Sequence, residues 1–152
     1  MNKRYNLVYG SGVMETFLML ILIGAISGII LAGVMKLVRI VTGNKADILL
    51  YNMDYIPVLK QWDHLKVTGL IFHYVTCIAS AVILYYLLIP FDLVYAIWPY
   101  IFVFTLGGSI LYFLSALTRT PPDHRDWISW FNWTASHSIF GFAVGVLIFW
   151  WV

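Results

Sequence analysis

Four histidines and one cysteine are the residues of this 152-residue chain whose types could do chemistry inside an otherwise apolar sequence. His73 and His137 each lie within a long stretch that lacks Asp, Glu, Lys and Arg. His64 and His124 sit in polar connections beside Asp63, Asp123 and Arg119. Imidazole titrates near physiological pH and ligates metals and haem. Cys77 stands one helical turn beyond His73, so one reading is a proton-responsive or metal site around His73 and His137, with Cys77 as a further ligand. The other is that each imidazole makes a hydrogen bond between helices, worth about 0.6–2 kcal/mol. A single cysteine excludes an internal disulfide and any Cys-rich zinc or iron–sulfur site. Its apolar flanks argue against a catalytic thiolate. The serine-hydrolase elbow, P-loop, dinucleotide fingerprint and paired-histidine zinc motif are all missing. The chain therefore reads as non-enzymatic, with no cofactor required by the sequence.

The elements that must position these side chains follow from four charge-free blocks, Thr16–Met35, Val67–Phe91, Leu93–Thr118 and Trp127–Val152. About 20 apolar residues suffice to cross a bilayer as a helix. Hydrophobic residues make up 62% of the chain and charged residues 11%, against about 25% charged in soluble domains. The bilayer is thus the expected solvent and lipid the first partner. A net charge of +2 gives no footing for nucleic acid. The expected fold is all-α: one polytopic membrane domain forming a four-helix transmembrane bundle, with spans at about 16–36, 67–89, 94–117 and 133–152. Lys3 and Arg4 precede the first apolar run, but that run is too long for a signal-peptide core, so it reads as a retained helix.

Connections supply further expectations. In the first loop, Ala46–Ile56 is apolar on most sides and reads either as a short interfacial helix or as an ordinary helix packed within the loop. Between the second and third blocks, Pro90 ends one helix and Asp92 can cap the next, so the two are read as antiparallel neighbours. Pro99 reads as a tolerated kink within the third span. Trp127, Trp130 and Trp133 recur at three-residue steps, as in a last helix that begins at the headgroup level. Glu15 reads as an interfacial charge at a helix start. Asp123-His124-Arg125-Asp126 could gather a metal or substrate, or form a solvated corner.

Threading four spans places His64, His73, His124 and His137 on one side of the bilayer, together with Asp63, Arg119 and Asp123. The first and third connections carry seven Lys and Arg against two at the N-terminus. Loops 37–66 and 118–132 are therefore predicted to be cytoplasmic and both termini outside. On the second helix Gly69, His73, Thr76, Cys77 and Ser80 form a small and polar stripe; on the fourth, His137, Gly141 and Gly145 do the same. Such stripes point into protein, and an ionisable residue within a span marks a functional site by default. Gly24 and Gly28, like Gly141 and Gly145, are spaced for close helix approach within the chain or in a homo-oligomer.

The run Val67-Thr-Gly-Leu-Ile-Phe-His73, Thr120-Pro-Pro122, Ser136-His137 and the Trp-rich last helix resemble the YagU-like bacterial inner-membrane proteins. The resemblance covers the chain from Val67 onward. It implies a multi-helix protein of the cytoplasmic membrane associated with acid tolerance, and carries over no catalytic residues. The functional expectation is a role in envelope or pH homeostasis through a His-containing polar pocket. The alternatives are an accessory or scaffold subunit of a larger membrane complex, and a metal- or haem-binding membrane protein.

Overall fold

A computed structural model describes residues 12–54, 56–62, 66–118 and 122–152. Among the described residues every regular element is helical, with four α-helices: α1 (Val13–Thr42), α2 (Lys66–Leu88), α3 (Ile97–Phe113) and α4 (Trp127–Trp151). Four helical segments are long and apolar enough to cross a membrane. The chain is an all-α, multi-pass, bilayer-contacting bundle.

Local chemistry sets the helix ends, and several differ from expectation. α1 runs on past Met35 to Gly43, whose left-handed backbone (φ 73°) lets its N–H donate to the Arg39 carbonyl, a conformation in which glycine carries no Cβ penalty. Asp92 does not cap α3. It instead takes a left-handed conformation (φ 59°) after the 3₁₀ turn Ile89–Phe91, and α3 starts five residues later at Ile97 behind the uncapped Ala96. Pro99 consequently falls in the first turn of α3, where its missing N–H would have had no helical partner, so no mid-helix kink arises. Within Ala46–Ile56 only the five residues Ala46–Leu50 form a 3₁₀ helix, and a second 3₁₀ turn follows at Lys60–Trp62. Ala46, Leu50 and Met53 are buried, so this segment packs onto the bundle end instead of lying free at the interface.

The last helix begins at Trp127, six residues before the expected span, because Asp126 caps it. The Asp126 carboxylate accepts the backbone N–H groups of Ile128 and Ser129 and, at 2.6 Å, the Ser129 hydroxyl. The Ser129 hydroxyl first, and those amides after it, hold the Asp126 carboxyl below its ordinary value of 3.8, with burial opposing. A lowered carboxyl contributes stability that is present above the unfolded value near pH 4 and lost as pH falls through the folded one. Asp126→Ala is accordingly expected to cost about 1 kcal/mol near neutral pH. The difference from the parent protein should shrink below about pH 4, followed as unfolding midpoints in lipid nanodiscs. A difference that holds constant down to pH 3 would remove the carboxylate from this role.

Packing does not follow chain order. α1 packs against α2 and α4, and α4 packs against α3, whereas the backbones of α2 and α3 scarcely approach each other. The spatial order is α2–α1–α4–α3, a ring left open on one side. Glycines carry two of the three closed seams, α1–α2 and α3–α4. A Cβ on Gly24 would meet the Ile78 backbone at 2.6 Å, and one on Gly28 would press on Cys77 and Tyr74. Along α3–α4, a Cβ on Gly141 would lie 2.6 Å from the Tyr100 carbonyl oxygen and 2.9 Å from Ile101 Cα. Gly145 faces Ile97, and Phe104 packs edge-on against Phe140 with ring centres 4.7 Å apart.

Candidate functional site

The missing α2–α3 seam leaves a cavity of about 360 Å³. Its lips are Phe72, Thr76 and Ser80 on α2 and Val103, Gly107 and Leu111 on α3; Leu31 of α1 and Trp133, His137 and Phe140 of α4 line its interior. Steps of four residues put each lip on one helix face. Thr76, Val103 and Leu111 are exposed on the bundle surface, so the cavity opens sideways, toward the hydrocarbon of a bilayer.

The loop end is roofed. Leu49 and Leu50 line the cavity from the first loop, and a chain of polar contacts holds that loop down. Asn44 Nδ2 donates to the Ser129 hydroxyl at 2.8 Å. Asn52 Nδ2 donates to Thr118 Oγ1 at 2.9 Å, and Thr118 in turn donates to the Asp54 carboxylate. Tyr51 packs edge-on to the His73 ring, with centres 5.6 Å apart. Burial, reinforced by Tyr74 and Asp47, pushes the Tyr51 phenol above its ordinary value of 10; it is neutral at physiological pH.

Both intramembrane histidines line this cavity, His73 about 10 Å beyond Lys66 and His137 about 15 Å beyond Trp127 along their helix axes. His73 is 2% exposed. Its Nε2–H donates to the Gly28 carbonyl at 3.1 Å, and the Cys77 sulfur lies over the ring, 3.8 Å from Nδ1 and 4.0 Å from Nε2. His137 is 9% exposed and half engaged. Its Nδ1–H donates to the Trp133 carbonyl at 2.8 Å, while its Nε2 has no hydrogen-bond partner among the described residues. Because a carbonyl can only accept, each contact fixes the tautomer of the neutral ring.

The His137 ring occupies the space where a Gly108 side chain would be: a Cβ there would meet the ring at 2.5 Å. Trp133 covers it from the preceding turn with ring centres 4.5 Å apart. The Trp133 indole N–H donates to the Gly108 carbonyl at 2.8 Å, and Trp130 donates to Ser109 Oγ at 3.0 Å. Of the three tryptophans at the start of α4, only Trp127 projects freely, at 70% exposed. Trp133 belongs to the cavity wall and not to the headgroup belt, because its three-residue spacing from Trp130 continues inward along α4.

The remaining candidates separate from this cavity. Asp63, His64 and Arg119 lie outside the described residues. Asp123 and His124 pair locally, Oδ1 to Nδ1 at 3.2 Å, while Asp123 also accepts the Arg125 amide; neither lines the cavity. This corner serves the start of α4, where the Tyr112 hydroxyl donates to the carbonyls of Asp123 and Asp126. Among the described residues no group of three His, Cys, Asp or Glu side chains converges as a metal site. Sequence reasoning did not assign Gly107, Gly108, Ser115, Thr118 and Trp133 to a cavity. The adjacent Gly107-Gly108 pair reads from sequence as helix packing alone, and the signal it held is that two glycines on neighbouring faces of one helix leave one for packing and one spare. The Ser115 hydroxyl, buried in the wall, has no hydrogen-bond partner among the described residues.

No protein-family model matches this chain, and neither does any curated protein or solved structure.

Proposed function

We propose that this is a non-enzymatic membrane protein whose work is done in the histidine-containing cavity, by taking up a small, mostly apolar molecule from the surrounding bilayer. The observation that carries the reading is the lateral opening: a chamber of about 360 Å³ between two helices that do not pack together, walled by Leu, Val and aromatic side chains. Such a volume lies at the small end of ligand pockets. A ring of four closed seams would have been the default for four apolar helices, and here one seam is open while two of the others are tightly fitted at Gly24, Gly141 and Gly145.

The cytoplasmic membrane of a bacterium, with loops 37–66 and 118–132 inside and both termini outside, is the placement favoured by the Lys and Arg count and by the resemblance from Val67 onward. That resemblance also favours envelope or pH homeostasis as the process served.

Cys77, the single cysteine, is a built-in reporter of access because it lies in the cavity wall, 5% exposed. In phosphatidylcholine nanodiscs, phenylmercury should reach the thiol and give a one-adduct mass shift, whereas a sulfonated, membrane-impermeant mercurial should not. Equal resistance to both reagents in the folded protein, with prompt labelling after denaturation, would sink the reading.

A further inference from the structure

We propose that the molecule held in this cavity carries a hydroxyl group on an apolar body, an alcohol or a phenol, whose O–H donates to Nε2 of His137. The inference rests on the reading of the cavity as a bilayer-facing ligand site and adds to it the chemistry of the guest.

Two observations converge on an acceptor that awaits a donor. The first is the fixed tautomer. With Nδ1–H committed to the Trp133 carbonyl at 2.8 Å, the neutral ring has only a lone pair at Nε2, and no described residue supplies that lone pair with a proton. The second is rigidity. The ring sits against Gly108 on one side and Trp133 on the other, so it cannot swing away to find a partner. His73, in the same cavity, is closed off differently: its Nε2–H donates to the Gly28 carbonyl, and Tyr51, Tyr74 and the Cys77 sulfur cover the ring. His73 is walled in by its neighbours, at 2% exposed, and His137 presents a single acceptor to an apolar chamber.

Chemistry then selects the guest. A carboxylate, ether or ketone would set lone pair against lone pair and leave both unsatisfied. An ammonium group would bring a charge into an apolar chamber at high desolvation cost. A neutral O–H satisfies Nε2 without either penalty. An apolar cavity of 150 Å³ holds benzene, so about 360 Å³ accommodates a bicyclic ring, or the hydroxyl end of a longer chain whose remainder passes between Thr76 and Gly107 into lipid.

The test compares 1-naphthol with 1-methoxynaphthalene, its methyl ether, by equilibrium dialysis against phosphatidylcholine nanodiscs with and without the full-length chain. After subtraction of partitioning into empty discs, naphthol should bind at one site per chain about tenfold more tightly than the ether, the ratio expected for one buried hydrogen bond. His137→Phe should bring that ratio to about one while the ether still binds. The ¹⁵N resonance of His137 Nε2 in the parent protein should shift with naphthol and not with the ether, a readout that needs no variant to fold. Equal saturable binding of both probes would overturn the hydroxyl assignment and leave the cavity reading standing. Saturable binding of neither would overturn both. A naphthol preference that survives His137→Phe would also overturn the assignment.

Discussion

Gly141→Leu is expected to be among the most destructive single substitutions in this chain, lowering the unfolding midpoint in nanodiscs by about 10 °C or abolishing the folded state. Even the first carbon added at this position would lie 2.6 Å from the Tyr100 carbonyl oxygen and 2.9 Å from Ile101 Cα. Both are backbone atoms, so relief requires α3 and α4 to separate and no rotamer change suffices. Overpacking commonly costs about 1–3 kcal/mol, and a midpoint falls by about 2–4 °C per kcal/mol at this chain length. Separation of the seam would also pull Gly108 away from the His137 ring and break the Trp133 indole contact to the Gly108 carbonyl. Gly107→Leu supplies the control, since a Cβ at Gly107 meets nothing within 4 Å. If Gly141→Leu proved as stable as Gly107→Leu, the close α3–α4 approach would be refuted.

Gly107→Trp should close the crevice without unfolding the protein. The position combines empty space around a new side chain with a place on the cavity lip, so the indole can lie across the gap between α3 and Thr76. Phenylmercury would then reach Cys77 only through local opening of the bundle. If such an opening costs about 3 kcal/mol, within the range for sub-global fluctuations, labelling slows by about 100-fold. Circular dichroism and the unfolding midpoint should stay near those of the parent protein. Unchanged labelling in a folded Gly107→Trp protein would show that reagents do not enter between α2 and α3.

Much of the fold was legible because membrane solvent makes length and charge decisive. Four uncharged blocks gave four helices, and Asp126 at the head of the last block shows why that helix starts early: a side-chain acceptor at the N-cap satisfies amides that the headgroup region would otherwise have to hydrate. The spatial order was not legible. Apolar helices in lipid have no strong hydrophobic preference for one neighbour over another, and a five-residue link such as Asp92–Ala96 suggests proximity without enforcing packing. What decides the order is shape: glycines at 24, 28, 141 and 145 admit close backbones on the α1–α2 and α3–α4 seams. At the site, the stripe Gly69, His73, Thr76, Cys77 and Ser80 on α2 is inward only in part: Gly69, His73 and Cys77 are buried, Ser80 is half-buried and Thr76 is exposed on the lip. The unequal states of the two histidines were hidden, because the carbonyls that engage His73 and His137 come from backbone positions, Gly28 and Trp133, that carry no side-chain signal.

The open ring also makes the molecule two hairpins joined back to back through α1 and α4. Widening the mouth between α2 and α3 separates two helices that scarcely approach at the backbone, the buried Tyr85 of α2 beside Tyr100 of α3 being their link at the far end. Its width is therefore governed less by the protein's internal cohesion than by the lateral pressure of the acyl chains that press against it, which makes occupancy of the chamber sensitive to the composition of the lipid around it.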